Sequence, residues 1–127
     1  MRPAFIGAMV AAMLLAACGA AGASPADTNK SVNVSGKQDI TIEMYENYFD
    51  PAVLVGTSGQ ALTVHLSNAG KMAHTFTIDG QVDRELAPGA KADVQITFPA
   101  SGNSSFYCRF HRAMGMTGTL KIQVAPY

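Results

Sequence analysis

The most informative stretch of this chain lies near its C-terminal end. Residues 106–118 read Phe106-Tyr107-Cys108-Arg109-Phe110-His111-Arg112-Ala113-Met114-Gly115-Met116-Thr117-Gly118. One thiol, one imidazole and two thioethers fall within the nine residues from Cys108 to Met116. The chain has two cysteines, and if Cys18 carries a lipid at an exported N-terminus, Cys108 has no partner for an internal disulfide. An unpaired thiol outside the cytoplasm needs burial, a partner chain or a metal, because it is otherwise open to oxidation. A buried inert cysteine is common, but the neighbouring imidazole and thioethers favour a metal site.

A second imidazole lies upstream, at His74. It precedes a short alternating run at residues 75–79 and follows the turn sequence 68–70. Soft sulfur ligands together with imidazole select copper, and two histidines, one cysteine and a weakly bound methionine form the blue-copper set. The residue types therefore predict a copper site built from His74, Cys108, His111 and one loop methionine.

Alternation of apolar and polar residues predicts β-strands along the rest of the chain. Period-two patterns of this density indicate strands rather than helices. The predicted strands cover residues 39–45, 60–68, 75–79, 92–99, 104–110 and 120–124. Glycine, proline and asparagine separate these runs, and no segment shows a helical stripe of ten residues. Short strands at this spacing predict an all-β antiparallel sandwich or barrel, without fixing its connectivity.

The motifs resemble the cupredoxin family, of the plastocyanin or amicyanin type. The resemblance covers about residues 38–127. It is carried by Tyr107-Cys108-x2-His111-x4-Met116-x-Gly118, by Asn68-Ala69-Gly70 before His74, and by Phe49-Asp50-Pro51 before Leu54-Val55-Gly56. It implies a cupredoxin-like Greek-key β-sandwich or barrel with one type 1 copper ion. It also implies single-electron transfer by Cu(I)/Cu(II) cycling, and no enzymatic activity.

Two methionines compete for the axial position. Amicyanin-like spacing would select Met114, and plastocyanin-like spacing would select Met116. In both types the ligand stands two residues before a glycine that opens the last strand, which Gly118 satisfies for Met116. The predicted ligands are therefore His74, Cys108, His111 and Met116, with Met114 as surface cover or a spare soft ligand.

Three other residues near the site have open roles. Thr75 stands where many cupredoxins place an asparagine that bonds to the ligand loop, and its hydroxyl is the available substitute. Tyr107 resembles the plastocyanin tyrosine linked to electron exit, and packing is its alternative role. His65 falls on the polar face of its strand and is predicted to lie at the surface.

Composition excludes several functional classes. Nine Lys and Arg balance nine Asp and Glu, so the chain lacks the basic footprint that nucleic-acid binding needs. A multicopper oxidase would need many more histidines than the three present. Copper storage or delivery is the alternative to electron transfer. It is suggested by the second loop methionine and by the location in the cell envelope that the N-terminus predicts below.

The N-terminus predicts export. Arg2 precedes a fourteen-residue uncharged run at 4–17, which is too short to span a bilayer but suits a signal peptide. The sequence Leu15-Ala16-Ala17-Cys18-Gly19 resembles a lipoprotein lipobox, and cleavage after residues 21–23 is the alternative. We therefore expect a signal peptide at 1–17, a lipidated Cys18 with a flexible linker at 18–37, and a copper-binding domain at 38–127. The lipid would anchor the protein to the outer face of the cytoplasmic membrane or to the outer membrane.

Charge and apolar residues around the ligands predict a docking face. Arg109 and Arg112 flank the ligands, Lys71 lies close to His74, and no acid occurs between residues 104 and 118. A locally positive pole of this kind would steer an acidic redox partner, although solvated arginines are the alternative. The residues that would form an apolar rim are Met72, Ala73, Ala113 and Met114. The protein is expected to be a monomer.

Overall fold

The computed structural model describes residues 30–123, which form ten strands in two packed sheets. In chain order the strands are β1 Ser31–Asn33, β2 Asp39–Tyr45, β3 Tyr48–Asp50, β4 Val53–Gly56, β5 Ala61–Asn68, β6 His74–Ile78, β7 Val82–Leu86, β8 Lys91–Thr97, β9 Ser104–Tyr107 and β10 Thr117–Ile122. A single turn of 3₁₀ helix, Arg112–Met114, lies between β9 and β10. The predicted all-β sandwich is confirmed.

The six-stranded sheet carries the segments that surround the ligands. Its strand order is β1-β4-β10-β9-β6-β7. Strands β1 and β10 each run parallel to β4, whereas β9 runs antiparallel to β10 and to β6. The end of β9, the start of β10 and the start of β6 therefore meet at one end of the sheet, and we call this end the metal end.

The four-stranded sheet, in the order β3-β2-β5-β8, closes the sandwich from the other side. Inward-facing apolar residues of β2 and β5, such as Ile42 and Leu66, are almost completely buried. Phe49 lies edge-on to Phe76 and Phe106, with ring centroids 6.1 and 5.0 Å apart. Since aromatic pairs prefer such offset and edge-on arrangements, these rings form a well-defined centre of the core.

All six predicted strands are present, with shifted ends. The largest shifts are of three residues. Strand β9 ends at Tyr107 rather than at residue 110 because the chain turns after Cys108, and β10 starts at Thr117 rather than at residue 120. Four short strands of three to five residues were not predicted: β1, β3, β4 and β7.

The predicted domain start at residue 38 is too late. Ser31–Asn33 pairs with β4, and Val34 is completely buried while its amide donates to the Val55 carbonyl at 2.8 Å. Residues 31–37 therefore belong to the domain rather than to the linker. The predicted signal peptide and Cys18 lie outside the described residues. Within residues 30–123, no helix has the length and apolar character needed to cross a membrane.

Candidate metal centre

Three predicted ligands converge at the metal end. Cys108 directly follows β9, His111 lies three residues further on, and His74 opens β6. Exposure is 0% for His74 and Cys108 and 4% for His111. One possible ligand atom from each of the three lies within 4.8 Å of the others. The fold thus brings together residues that the sequence separates by 34 positions.

The three ligand atoms form a compact triangle. Cys108 Sγ lies 3.4 Å from His111 Nδ1 and 3.8 Å from His74 Nδ1, and the two Nδ1 atoms are 3.2 Å apart. The point equidistant from these atoms is about 2.0 Å from each, which matches a metal–nitrogen bond and is about 0.3 Å shorter than a metal–sulfur bond. A first-row metal ion therefore fits the triangle when it is displaced slightly from that point, away from the sulfur.

The protonation of His74 also suits a metal. Burial, followed by the nearby His111 imidazole, lowers the pKa of His74. The neutral ring therefore predominates at neutral pH, and one nitrogen keeps a free lone pair. Nε2 is buried and has no hydrogen-bond partner among the described residues, whereas Nδ1 faces the other two ligands. The His74 tautomer with its proton on Nε2 would place the one free lone pair, on Nδ1, in the triangle.

Backbone hydrogen bonds close the ligand loop. The Cys108 amide donates to the Met116 carbonyl at 3.1 Å, and the Met116 amide donates to the His111 carbonyl at 3.2 Å. Between them, Gly115 adopts a φ of 86°, a left-handed conformation that glycine takes without steric cost. The positions of Cys108, His111 and Met116 are therefore tied to one another by the backbone itself.

Burial distinguishes the two loop methionines. Met116 is 0% exposed and shares backbone bonds with Cys108 and His111. Met114 is 67% exposed and belongs to the 3₁₀ turn. A water-excluded thioether next to the ligand backbone favours Met116 as the axial ligand.

The turn before His74 is held by two polar side chains. Asn68 donates to the carbonyls of Met72 and Leu86 at 2.8 and 3.0 Å, and its side-chain oxygen accepts from the Gly70 amide at 3.0 Å. The Glu46 carboxylate accepts hydrogen bonds from the amides of Lys71 and Met72. Glu46 was not among the predicted residues, because it lies 25 and 26 residues from the two amides that it binds.

Thr75 does connect the two ligand segments. Its amide lies 3.4 Å from Cys108 Sγ in hydrogen-bonding geometry, and its hydroxyl oxygen accepts from the Arg109 amide at 2.8 Å. A threonine hydroxyl thus makes the cross-link that the resemblance assigns to an asparagine. Donors to the sulfur stabilise its negative charge and are expected to tune a bound metal.

The surroundings of the ligands are less positive than the sequence alone indicates. Arg109 Nε lies 2.8 Å from Asp83 Oδ1, so this cation has a partner from β7. Arg112 stacks over the Tyr107 ring at 4.2 Å, and the Tyr107 hydroxyl donates to Asp79 at 2.6 Å. The predicted positive pole is therefore partly neutralised, and Arg112 is its main remaining contributor in the loop.

Three apolar side chains close in sequence to the ligands His74 and His111 are exposed. Met72 is 49% exposed, Met114 is 67% exposed and Phe110 is 48% exposed. The Phe110 ring lies edge-on to His111, with centroids 6.4 Å apart. Phe110 was predicted to lie in a strand, so its exposure was not expected. His65, far along the other sheet, is surface-accessible as predicted and contacts Asp93 and Asp39.

Comparison with known proteins identifies the family. Residues 7–122 match the family model of the cupredoxin-like domain, and the chain belongs to this family. No curated protein sequence matches it. The family, together with the arrangement of His74, Cys108, His111 and Met116, supports one copper ion at this centre.

Solved structures show the same fold at low sequence identity. Reduced auracyanin from Roseiflexus castenholzii is 21% identical with a TM-score of 0.59, covering 69% of this chain and 98% of its own. The metal-binding domain of the Cu(I)-exporting ATPase CopA from Streptococcus pneumoniae is 15% identical with a TM-score of 0.62, covering 76% and 98%. A purple cupredoxin from Nitrosopumilus maritimus is 17% identical with a TM-score of 0.50, covering 67% and 100%.

Proposed function

We propose that this protein is an extracytoplasmic type 1 copper protein that carries single electrons between redox partners. The observation that carries the proposal is the buried triangle of Cys108 Sγ, His74 Nδ1 and His111 Nδ1. A copper ion bound there would supply the one-electron chemistry. Thiolate and imidazole ligands suit both of its oxidation states.

The chain's own residues provide three conditions for electron transfer. Burial of Cys108 and His74 keeps water from the sulfur and one nitrogen. The backbone bonds between Cys108, His111 and Met116 hold the loop in one arrangement, so little reorganisation accompanies a change of charge. His111 is 4% exposed and lies closest to the surface, so its edge is the expected route for the electron.

The exposed apolar residues around His111 form the proposed docking face. Met72, Phe110 and Met114 provide a small, uncharged contact of the kind that transient redox complexes use. Arg112 lies at its border and would favour a partner with an acidic rim. Charge reversal, Arg112→Glu, should then flatten the salt dependence of association with such a partner. An unchanged salt dependence would exclude steering through this residue.

The test of the function is a spectrum of the purified full chain loaded with Cu(II). An intense thiolate-to-copper band in the visible range should appear, bleach with ascorbate and return on oxidation. Cys108→Ser should abolish the band, whereas Ser105→Ala, three residues away on β9, should retain it. A colourless protein that binds only Cu(I) and passes it to an acceptor would contradict electron transfer and favour copper delivery.

The proposed location is the cell envelope, with a lipid on Cys18. The lipobox-like sequence at residues 15–19 supports this anchor. Metabolic labelling with a fatty acid should mark the wild-type protein and leave Cys18→Ser unlabelled. Retention of the label in Cys18→Ser would contradict lipidation at this position.

A further inference from the structure

Four side chains beside the metal centre form a closed hydrogen-bonded network. The Arg109 amide donates to Thr75 Oγ1 at 2.8 Å, and Thr75 Oγ1 lies 3.0 Å from Thr77 Oγ1. Thr77 Oγ1 donates to Asp83 Oδ1 at 2.9 Å. The same Asp83 oxygen accepts from Arg109 Nε at 2.8 Å. The closed network of Thr75, Thr77, Asp83 and Arg109 thus begins and ends on Arg109.

Hydrogen-bond chemistry gives this closed network a single direction. An ionised carboxylate only accepts, and the Arg109 and Thr77 bonds lower the pKa of Asp83, so it is ionised at neutral pH. Thr77 has one hydroxyl proton, which it uses for Asp83. Its oxygen must therefore accept the proton of Thr75. Thr75 in turn accepts from the Arg109 amide, so each hydroxyl both donates and accepts.

The closed network connects the chain segment of His74 with the chain segment of Cys108. Thr75 directly follows His74, and Arg109 directly follows Cys108. Backbone pairing between β6 and β9 consists of Thr77 opposite Tyr107. Nearer to the ligands, Thr75 connects β6 to the segment after β9 by two contacts. Its hydroxyl accepts from the Arg109 amide, and its own amide contacts the Cys108 sulfur.

Two residues of the closed network are buried and the other two are exposed to solvent. Thr75 is 0% and Thr77 is 5% exposed. The Arg109 and Asp83 side chains are 41% and 52% exposed. Hydrogen bonds of buried hydroxyl groups are costly to leave unmade, and linked bonds polarise one another. The exposed ion pair therefore orients the buried hydroxyls that contact the ligand loop.

We propose that Thr77, Asp83 and Arg109 are positioning residues of the metal centre, acting through Thr75 to fix the separation of the His74 and Cys108 segments. None of the three is a ligand. This inference rests on the proposed copper site for its effect on the metal, but the closed network itself belongs to the protein without metal.

The experiment compares Thr77→Val, which keeps the shape but removes the hydroxyl, with Thr77→Ser, which restores it. Thr63→Val on the other sheet is the matched control. In the metal-free full chain, amide exchange at Arg109 should be about tenfold faster in Thr77→Val than in wild type. With copper, the thiolate-to-copper band should shift and the reduction potential should fall, because the Thr75 amide donates less effectively to the sulfur.

Asp83→Ala tests the same closed network from its exposed side, where a folding defect is not expected. Like Thr77→Val, Asp83→Ala should make amide exchange at Arg109 faster than in wild type. Thr77→Ser should exchange at the wild-type rate. Exchange rates and spectra of Thr77→Val and Asp83→Ala equal to those of Thr63→Val would overturn the inference. A wild-type protein without the visible band would contradict the copper function, while the metal-free exchange rates would still decide on the closed network.

Discussion

Replacing Met116 by leucine is expected to change the copper centre, whereas the same replacement at Met114 should leave it intact. Met116 is 0% exposed and its backbone bonds to both Cys108 and His111, while Met114 is 67% exposed. A weak axial thioether donates electron density to the metal and tunes its potential. Its removal should destabilise Cu(II) relative to Cu(I) and raise the reduction potential.

The cost to folding separates loss of a ligand from loss of packing. Methionine and leucine have similar volumes, so Met116→Leu should lower the free energy of unfolding by less than about 1.5 kcal/mol. Truncation to alanine should cost about 2–5 kcal/mol, because Met116 is completely buried. At the exposed Met114, either change should stay within about 0.5 kcal/mol.

The measurements are protein-film voltammetry, the visible and EPR spectra of the Cu(II) form, and urea unfolding of the metal-free form. Met116→Leu should show a raised potential and an altered spectrum with nearly wild-type stability. A wild-type potential for Met116→Leu, together with a raised potential for Met114→Leu, would refute the assignment. It would make Met114 the axial ligand despite its exposure.

Three further predictions concern positions around this centre and on the opposite sheet. Gly118→Ala should lower the free energy of unfolding by about 1–3 kcal/mol in urea titrations, because a Cβ there would overlap an aromatic ring of the core. Gly70→Ala should slow copper uptake in stopped-flow mixing, since a Cβ would lie 2.5 Å from the Glu46 carboxylate. Moving that carboxylate away would break its hydrogen bonds to the Lys71 and Met72 amides, which hold the turn before the first ligand. The hydrogen bond to Asp93 raises the pKa of His65, so its stabilising effect is complete below the ordinary value of 6.5 and is lost as pH rises through the higher folded value. His65→Gln should flatten this decline in thermal melts, and an unchanged pH profile would exclude the ion pair as its cause.

The sequence predicted the ligand loop because its information is local. The spacing of Cys108, His111 and Met116 is set within one turn, and backbone bonds between these residues close that turn. His74 was also predicted, because it stands at the start of a strand with clear alternation. The structure brings the three predicted nitrogen and sulfur ligands together.

Contacts between distant segments could not be predicted in this way. Asp83 lies on β7, whose outward-facing residues are mostly polar and give no apolar pattern. Its pairing with Arg109 joins residues 26 positions apart, and nothing local to either residue indicates it. Glu46 and the start of the domain at β1 were missed for the same reason. Glu46 and β1 both bind partners that are distant in sequence and come close only in the folded chain. One example is the hydrogen bond from the Val34 amide to the Val55 carbonyl.

The direction of β1 determines where the preceding chain leaves the domain. In the sheet register, Ser31 of β1 is paired with Val53 of β4. Val53 is in turn paired with Thr119, near the start of β10. Because β1, β4 and β10 are parallel, Lys30 emerges at the same end as the ligands rather than at the far end. If Cys18 carries the proposed lipid, the dozen peptide steps up to Lys30 can reach at most about 40 Å. Lys30 would then stay within that reach of the bilayer surface, and the metal end of the domain would be the end nearest the anchor. A partner embedded in the same membrane would therefore meet the copper centre by local rotation rather than by three-dimensional diffusion.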